Sequence, residues 1–244
     1  MRRAIPAIIF LCLASSLFAQ QDVLKKIEDI QLNKFLDDQC LDFVRKGDIQ
    51  TDKYDTLLQI ILIRHGEPAF NKKGWRNRDE AIEYIKKYDA VGVYHFDHKP
   101  VCFREDEPTL VFTSKLPRAI DTADKTFGKA YQIKSKSLFN EFERKVIKFP
   151  NLKLPGKFWS VTSRVIWILG FNHKGIESFS EARARSREAA IFLDQNTQKY
   201  AKTILFSHGF LNRYIKKELK KSGYKVIDMD GQKYLGAYYF YKVK

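Results

Sequence analysis

Apolar and polar positions fall into blocks along this chain. From 22 to 46, Leu24, Ile27, Leu32, Phe35, Leu36, Leu41, Phe43 and Val44 recur at near three-four spacing among charges, which predicts a helix. Lys46 to Asp55 is polar, contains Gly47 and reads as a connector. Leu57 to Ile63 is an apolar run too short for a typical helix and predicts a strand buried on both faces, as do Thr109–Phe112 and Thr203–Phe206. Helical periodicity occupies 79–88, 116–127, 157–169, 178–199 and 209–221. Gly236 to Tyr241 predicts a last strand, at an edge. Buried strands alternating with helices predict a three-layer, doubly wound α/β fold: a mostly parallel sheet with helices on both faces.

The amino end follows another rule. Arg2 and Arg3 precede the apolar run Ala4–Phe18, which ends at Ala19-Gln20-Gln21, the charged, apolar and small-residue order of a secretory signal cut after Ala19. Leu17 departs from the small residue favoured two positions before the cut residue. Fifteen or so apolar residues are short of the roughly twenty that a spanning helix needs. The expected organisation is a signal peptide at 1–19, an N-terminal helical extension at 20–56 and one globular domain at 57–244, in a secreted or periplasmic protein.

Composition narrows the functional classes. With 44% hydrophobic and 14% aromatic residues the chain is globular, and no solenoid or collagen-like period appears. The formal charge of +15 falls only to +13 when Arg2 and Arg3 leave. That excess suits an anionic partner or a basic surface, and no nucleic-acid motif accompanies it. Loss of Cys12 with the leader leaves Cys40 and Cys102, either as a disulfide or as two separate thiols. Neither has metal or redox spacing, so no metal and no cofactor is expected.

Each buried strand runs into a polar cluster: Arg64-His65-Gly66-Glu67, Thr113-Ser114-Lys115 and Ser207-His208-Gly209. Ligands of open parallel sheets bind just beyond the carboxyl ends of the strands. The three clusters should therefore meet in one crevice. Arg64-His65-Gly66-Glu67-Pro68-Ala69-Phe70-Asn71 resembles the R-H-G-E-x-x-(aromatic)-N signature of the histidine phosphatases, the phosphoglycerate-mutase-like superfamily. Ser114-Lys115-Leu116-Pro117-Arg118-Ala119-Ile120-Asp121-Thr122-Ala123 is similar to its S-x-L-x-R-A-x-x-T-A block, and Ser207-His208-Gly209 to its third. The resemblance covers about 57–244 and implies the phosphoglycerate-mutase-like fold.

Phosphoryl transfer needs a nucleophile, positive charge around the equatorial oxygens and a proton for the leaving oxygen. The resemblance implies that neutral His65 attacks and becomes a phosphohistidine. Arg64 and Arg118 suit bidentate contact with phosphate. His208, protonated beside the phosphate, completes the pocket, and Asn71 falls on the family's phosphate-contacting asparagine. The family's acid is a glutamate after the next strand; Glu141 fits by position and Glu143 competes. Two departures stand out: the aromatic-rich segment that often follows the acid is replaced by Phe142-Glu143-Arg144-Lys145, and Pro68 stands where many members carry a hydroxyl.

Residues 150–176 are the variable part. The aromatic run from Phe158 to Phe171, flanked by Lys153, Lys157 and Arg164, reads either as a helix capping the crevice or as a peripheral membrane contact through 157–171. Lys216-Lys217-Glu218-Leu219-Lys220-Lys221 reads as a solvated helix face, and Arg183 and Arg187 as solvated or substrate-reaching. The expected function is an exported phosphomonoesterase acting on a phosphorylated small molecule or cell-envelope ester. The alternatives are a phosphoglycerate-mutase-type phosphotransferase and a non-catalytic binder of anionic envelope polymers.

Overall fold

The computed structural model describes residues 21–33, 41–49, 56–101, 109–128 and 131–243. The leader at 1–19 and Cys12, Cys40 and Cys102 lie outside the described residues, with the readings that rest on them. A helix, α1, runs through 21–33. The elements that follow are α2 (Lys46–Ile49), β1 (Leu57–Arg64), β2 (Trp75–Arg76), α3 (Arg78–Ala90), β3 (Leu110–Thr113), α4 (Pro117–Phe127) and β4 (Ile133–Ser135). Then come β5 (Leu154–Pro155), α5 (Gly156–Ile168), α6 (Phe179–Tyr200), β6 (Lys202–Ser207), α7 (Gly209–Lys221), β7 (Lys225–Met229) and β8 (Ala237–Val243).

Six strands form one sheet in the order β4-β3-β6-β1-β8-β7. β4, β3, β6 and β1 are parallel to one another; β8 runs antiparallel to both β1 and β7. Strand β1 shows why a continuous apolar run was needed. Leu57, Ile61 and Ile63 face one core with α1 and α4, while Leu58, Ile60 and Leu62 face the other with α6 and α7. A third cluster joins α3 to α5 through Ala81 and Trp159.

Local signals set the helix limits. Asn77 and Ser178 each close a capping box, with Glu80 and Glu181, at the starts of α3 and α6; such a cap stabilises by about 1 kcal/mol. Pro117 opens α4 and Gly128, at φ 64°, closes it.

Three expectations change. Residues 41–45 are not helical: Leu41 bridges Val101, and buried Gln59 holds the next segment by accepting the Val44 amide (2.8 Å) and donating to its carbonyl (2.9 Å). Leu41, Phe43 and Val44 are apolar because that segment lies on the sheet, a demand that mimics helical spacing. The connector contains the short helix α2. The last strand is not at an edge, because β7 pairs outside it.

Candidate active site

The parallel register sets the carboxyl ends of β1, β3 and β6 side by side: Arg64 stands opposite Ser207, and Thr113 opposite Phe206. The His65 amide donates to the Ser207 carbonyl (2.9 Å) and the Ser114 amide to the Phe206 carbonyl (3.2 Å), so the pairing continues into the clusters. His65 and His208 are both buried, with ring centroids 5.1 Å apart. Arg118, in the first turn of α4, is also buried and donates from Nε to His65 Nε2 at 3.2 Å. Arg64 packs on Gly209, where an added Cβ would stand 3.1 Å from Arg64 Cδ, tighter than such contacts normally allow. Here glycine permits a close approach.

Hydrogen bonding fixes how the histidines present themselves. His65 Nδ1 lies 2.7 Å from the Gly66 carbonyl, an acceptor, so Nδ1 carries the proton and Nε2 keeps its lone pair. Thr122 of α4 holds this turn, its Oγ1 accepting the Gly66 amide (2.9 Å) and donating to the Arg118 carbonyl (2.6 Å). His208 Nε2 lies 2.7 Å from Ser114 Oγ, which accepts the Leu116 amide at 3.2 Å. With Ser114 donating to Nε2, the His208 proton stands on Nδ1. That Nδ1 is buried with no partner, and so is Arg64 Nε. An anion beside the His65 lone pair could accept hydrogen bonds from both groups.

Burial, and then the Arg118 guanidinium, hold the His65 pKa well below its ordinary value. Burial lowers His208 in the same way, followed by Arg118 and His65. His65 is thus neutral, as a nucleophile requires. Burial likewise favours a neutral His208 in the protein by itself.

Charged residues absent from the motifs complete the centre. Asp89 accepts from both Arg118 (3.0 Å) and Arg144 (2.9 Å), whose guanidiniums each lie 4.8 Å from the Tyr88 ring centroid. Burial pushes the Tyr88 phenol up to about 12, so it stays neutral. On the other side, Arg64 (4.2 Å) and Lys72 (4.5 Å) lie over the ring of Tyr234, and Arg64 also donates to the Gln232 carbonyl. No sequence pattern marks Asp89 or Tyr234; their roles arise from folding distant segments together.

The two glutamates separate cleanly. Glu141 Oε1 accepts the Leu211 amide (3.1 Å) and Oε2 the Phe210 amide (3.4 Å), placing its carboxylate at the start of α7 just after His208. Glu143 lines the same cavity but accepts the Glu177 amide at 2.7 Å instead of an amide of α7. Arg164 fixes the segment by donating to the Phe142 and Glu143 carbonyls. A cavity of about 390 Å³ opens here, lined by Asp89, Asn140, Glu141, Arg144 and Arg185 among others. Asn71 stays exposed, its Oδ1 accepting the Lys73 amide (3.0 Å) in a local turn, and is not joined to the histidine cluster. Arg183 and Arg187 do not line the cavity; Arg185 does, pairing with Glu177 at 2.6 Å. Among the described residues no group of three or more His, Cys, Asp or Glu side chains could hold a metal ion.

The model of the histidine phosphatase superfamily, branch 1, matches residues 60–230. The chain belongs to that superfamily. It is accordingly an enzyme of the phosphatase and phosphotransferase class. Solved structures similar to this histidine phosphatase include a mycobacterial glucosyl-3-phosphoglycerate phosphatase, 16% identical over 68% of this chain and 80% of that one, with a TM-score of 0.39. Another is the phosphoserine phosphatase of Entamoeba histolytica in complex with 3-phosphoglyceric acid: 14% identity, 76% and 94% coverage, TM-score 0.43. No curated protein matches the chain.

The neutral histidines make stability depend on pH. Their folded pKa values lie below 6.5, so the unfolded chain binds more protons as pH falls under that value. The stability they contribute is complete above pH 6.5 and declines on acidification, approaching about 1.4 kcal/mol per pH unit for each histidine. Melting temperatures measured from pH 7.5 downward should fall, and His208→Asn should flatten the slope. An unchanged slope would mean that His208 is not buried neutral.

Proposed function

We propose that the protein is an exported phosphomonoesterase, hydrolysing a phosphorylated small molecule or cell-envelope ester through a phosphohistidine on His65. The observation that carries this reading is the neutral His65, with Nε2 free of any proton, beside the unpartnered His208 Nδ1 and Arg64 Nε. A phosphate entering there takes hydrogen bonds from Arg64, His208 and Arg118, the last releasing His65 Nε2 as it turns to the anion. Nε2 attacks phosphorus, the ester P–O bond breaks, and the leaving oxygen takes a proton from Glu141. Water then attacks the phosphohistidine, giving its proton back to Glu141, and the P–N bond breaks to release inorganic phosphate. The positive side chains supply the charge stabilisation that dominates phosphoryl transfer. At about 390 Å³ the adjoining cavity is at the small end of the roughly 300–1,000 Å³ range of ligand sites, which suits a compact leaving group. Export rests on the basic, apolar and small-residue order of residues 1–19.

A panel of phosphate esters assayed in EDTA tests the reading. Turnover should persist under chelation, and Arg118→Lys should lose about 10²- to 10³-fold in kcat/KM, because a point charge cannot replace a bidentate fork. Hydrolysis that appears only when divalent metal is added would overturn the metal-free mechanism.

A further inference from the structure

Twelve large apolar side chains stand exposed among the described residues, and seven of them lie within 149–171. Scattered exposed apolar residues are ordinary; a cluster marks a contact surface. The cluster has a helical origin. Trp159, Ser163 and Trp167 of α5 are buried on the inner face, Trp159 toward α3 and Trp167 in the core shared with α6 and α7. Val161 (60% exposed), Val165 (50%) and Ile168 (37%) form the opposite stripe, and Leu169 and Phe171 (both 66%) extend it past the helix end. The inner face packs on the fold, while the outer face is apolar and is covered by none of the described residues.

The charge around the stripe says what could cover it. No Asp or Glu occurs between Glu143 and Glu177, a stretch that holds seven Lys and Arg residues. Arg144 and Arg164 are turned inward, to Asp89 and to backbone carbonyls. Lys148, Lys153, Lys157 and Lys174 are exposed and form no ion pair with any described carboxylate. Lys157 continues the line of Val161, Val165 and Ile168 at helical spacing. At the amino end of α5 the β2–β5 ribbon sets Trp75, 67% exposed, opposite Pro155. Apolar centre, unpaired lysines and a Trp at the margin are the composition of a surface that sits at a lipid headgroup boundary. An acidic protein partner would match the lysines but leave the apolar stripe without a complement. Among the described residues no helix is long and apolar enough to cross a membrane, so the contact would be peripheral.

We propose that the outer face of α5, continued to Phe171, docks on an anionic lipid bilayer. The apolar stripe enters the headgroup boundary, and Lys148, Lys153, Lys157 and Lys174 meet lipid phosphates. Residues Glu143 and Arg144, which line the cavity beside Glu141, lead directly into this lysine-rich stretch, so docking would hold the catalytic crevice near the lipid surface. The proposal does not depend on which ester is hydrolysed.

The test uses the full chain carrying Phe171→Trp, with brominated acyl chains in vesicles of phosphatidylglycerol and phosphatidylcholine. A reporter in the stripe distinguishes this contact from membrane binding by the apolar run at 4–18. Emission gained by Phe171→Trp should shift to the blue and be quenched on anionic vesicles, and not on phosphatidylcholine alone. Lys148→Glu, Lys153→Glu and Lys157→Glu combined should weaken this contact by about a hundredfold. Val165→Asp should abolish it, and all variants should keep their turnover of a soluble aryl phosphate. No quenching on anionic vesicles, or equal quenching on neutral ones, overturns the proposal. So does a chain that self-associates or binds an acidic protein through the stripe while ignoring lipid.

Discussion

His65→Ala is expected to lower turnover of every phosphate ester by about 10⁴- to 10⁶-fold, the scale seen when a covalent nucleophile is removed. The loss should be one of chemistry and not of folding. The imidazole touches the catalytic groups and Tyr234 at a strand end, and it lies outside the three apolar clusters of the core. Removing it frees Arg118 Nε, which solvent entering the crevice can hydrate, so a cooperative melting transition should survive. Structure adds a sharper expectation. Because Nδ1 donates to the Gly66 carbonyl, the trapped phosphate should sit on Nε2. Labelled substrate, alkaline denaturing quench and phosphorus NMR of the isolated peptide would distinguish the two nitrogens. Phosphate on Nδ1, or on His208, would mean that the hydrogen bonding described here does not govern the attack.

Glu141→Gln should produce the second large effect, and a selective one. An alkyl phosphate leaves as a poor alkoxide that needs a proton in the transition state, whereas p-nitrophenyl phosphate leaves well without one. The first-step rate for an alkyl ester should fall about 10²- to 10⁴-fold, and that for the aryl ester far less. Glutamine keeps an oxygen to accept the Leu211 amide, so the start of α7 stays capped and the loss reports the proton. The burst phase must be followed, since the same carboxylate activates water in the second step and slows steady turnover of both esters. Glu143→Gln should leave both nearly unchanged, because that carboxylate is engaged by the Glu177 amide. A leaving-group-dependent loss in Glu143→Gln alone would move the acid two residues along the chain.

Much of this was legible in the chain because it obeys local rules. A strand covered on both faces must be apolar throughout, and a helix must repeat near 3.6 residues, so β1, β3 and β6 and helices α3 to α7 stand out without tertiary knowledge. The polar clusters after those strands stand out for the same reason, since each interrupts an apolar run. Spacing failed where tertiary contacts imposed it: Leu41, Phe43 and Val44 imitate a helix because each must be buried where the chain crosses the sheet, and Gln59, far along the chain, holds that segment. Strand β8 became internal only because β7, with its mixed exposure and weak pattern, pairs outside it.

Identity of the site's motif residues was written in the sequence, but their state was not. Whether His208 is charged depends on desolvation and on Arg118, neither of which a motif encodes. Asp89 bridges Arg118 and Arg144, and Tyr234 lies under Arg64 and Lys72, through contacts between residues far apart in the chain. Glu141, and not Glu143, accepts amides from the first turn of α7, a contact that only the folded chain creates. Local patterning thus determined the elements and the polar clusters that end the strands. Long-range pairing and burial decided strand order, protonation and partners, because those energies exist only once distant segments share a dry interior.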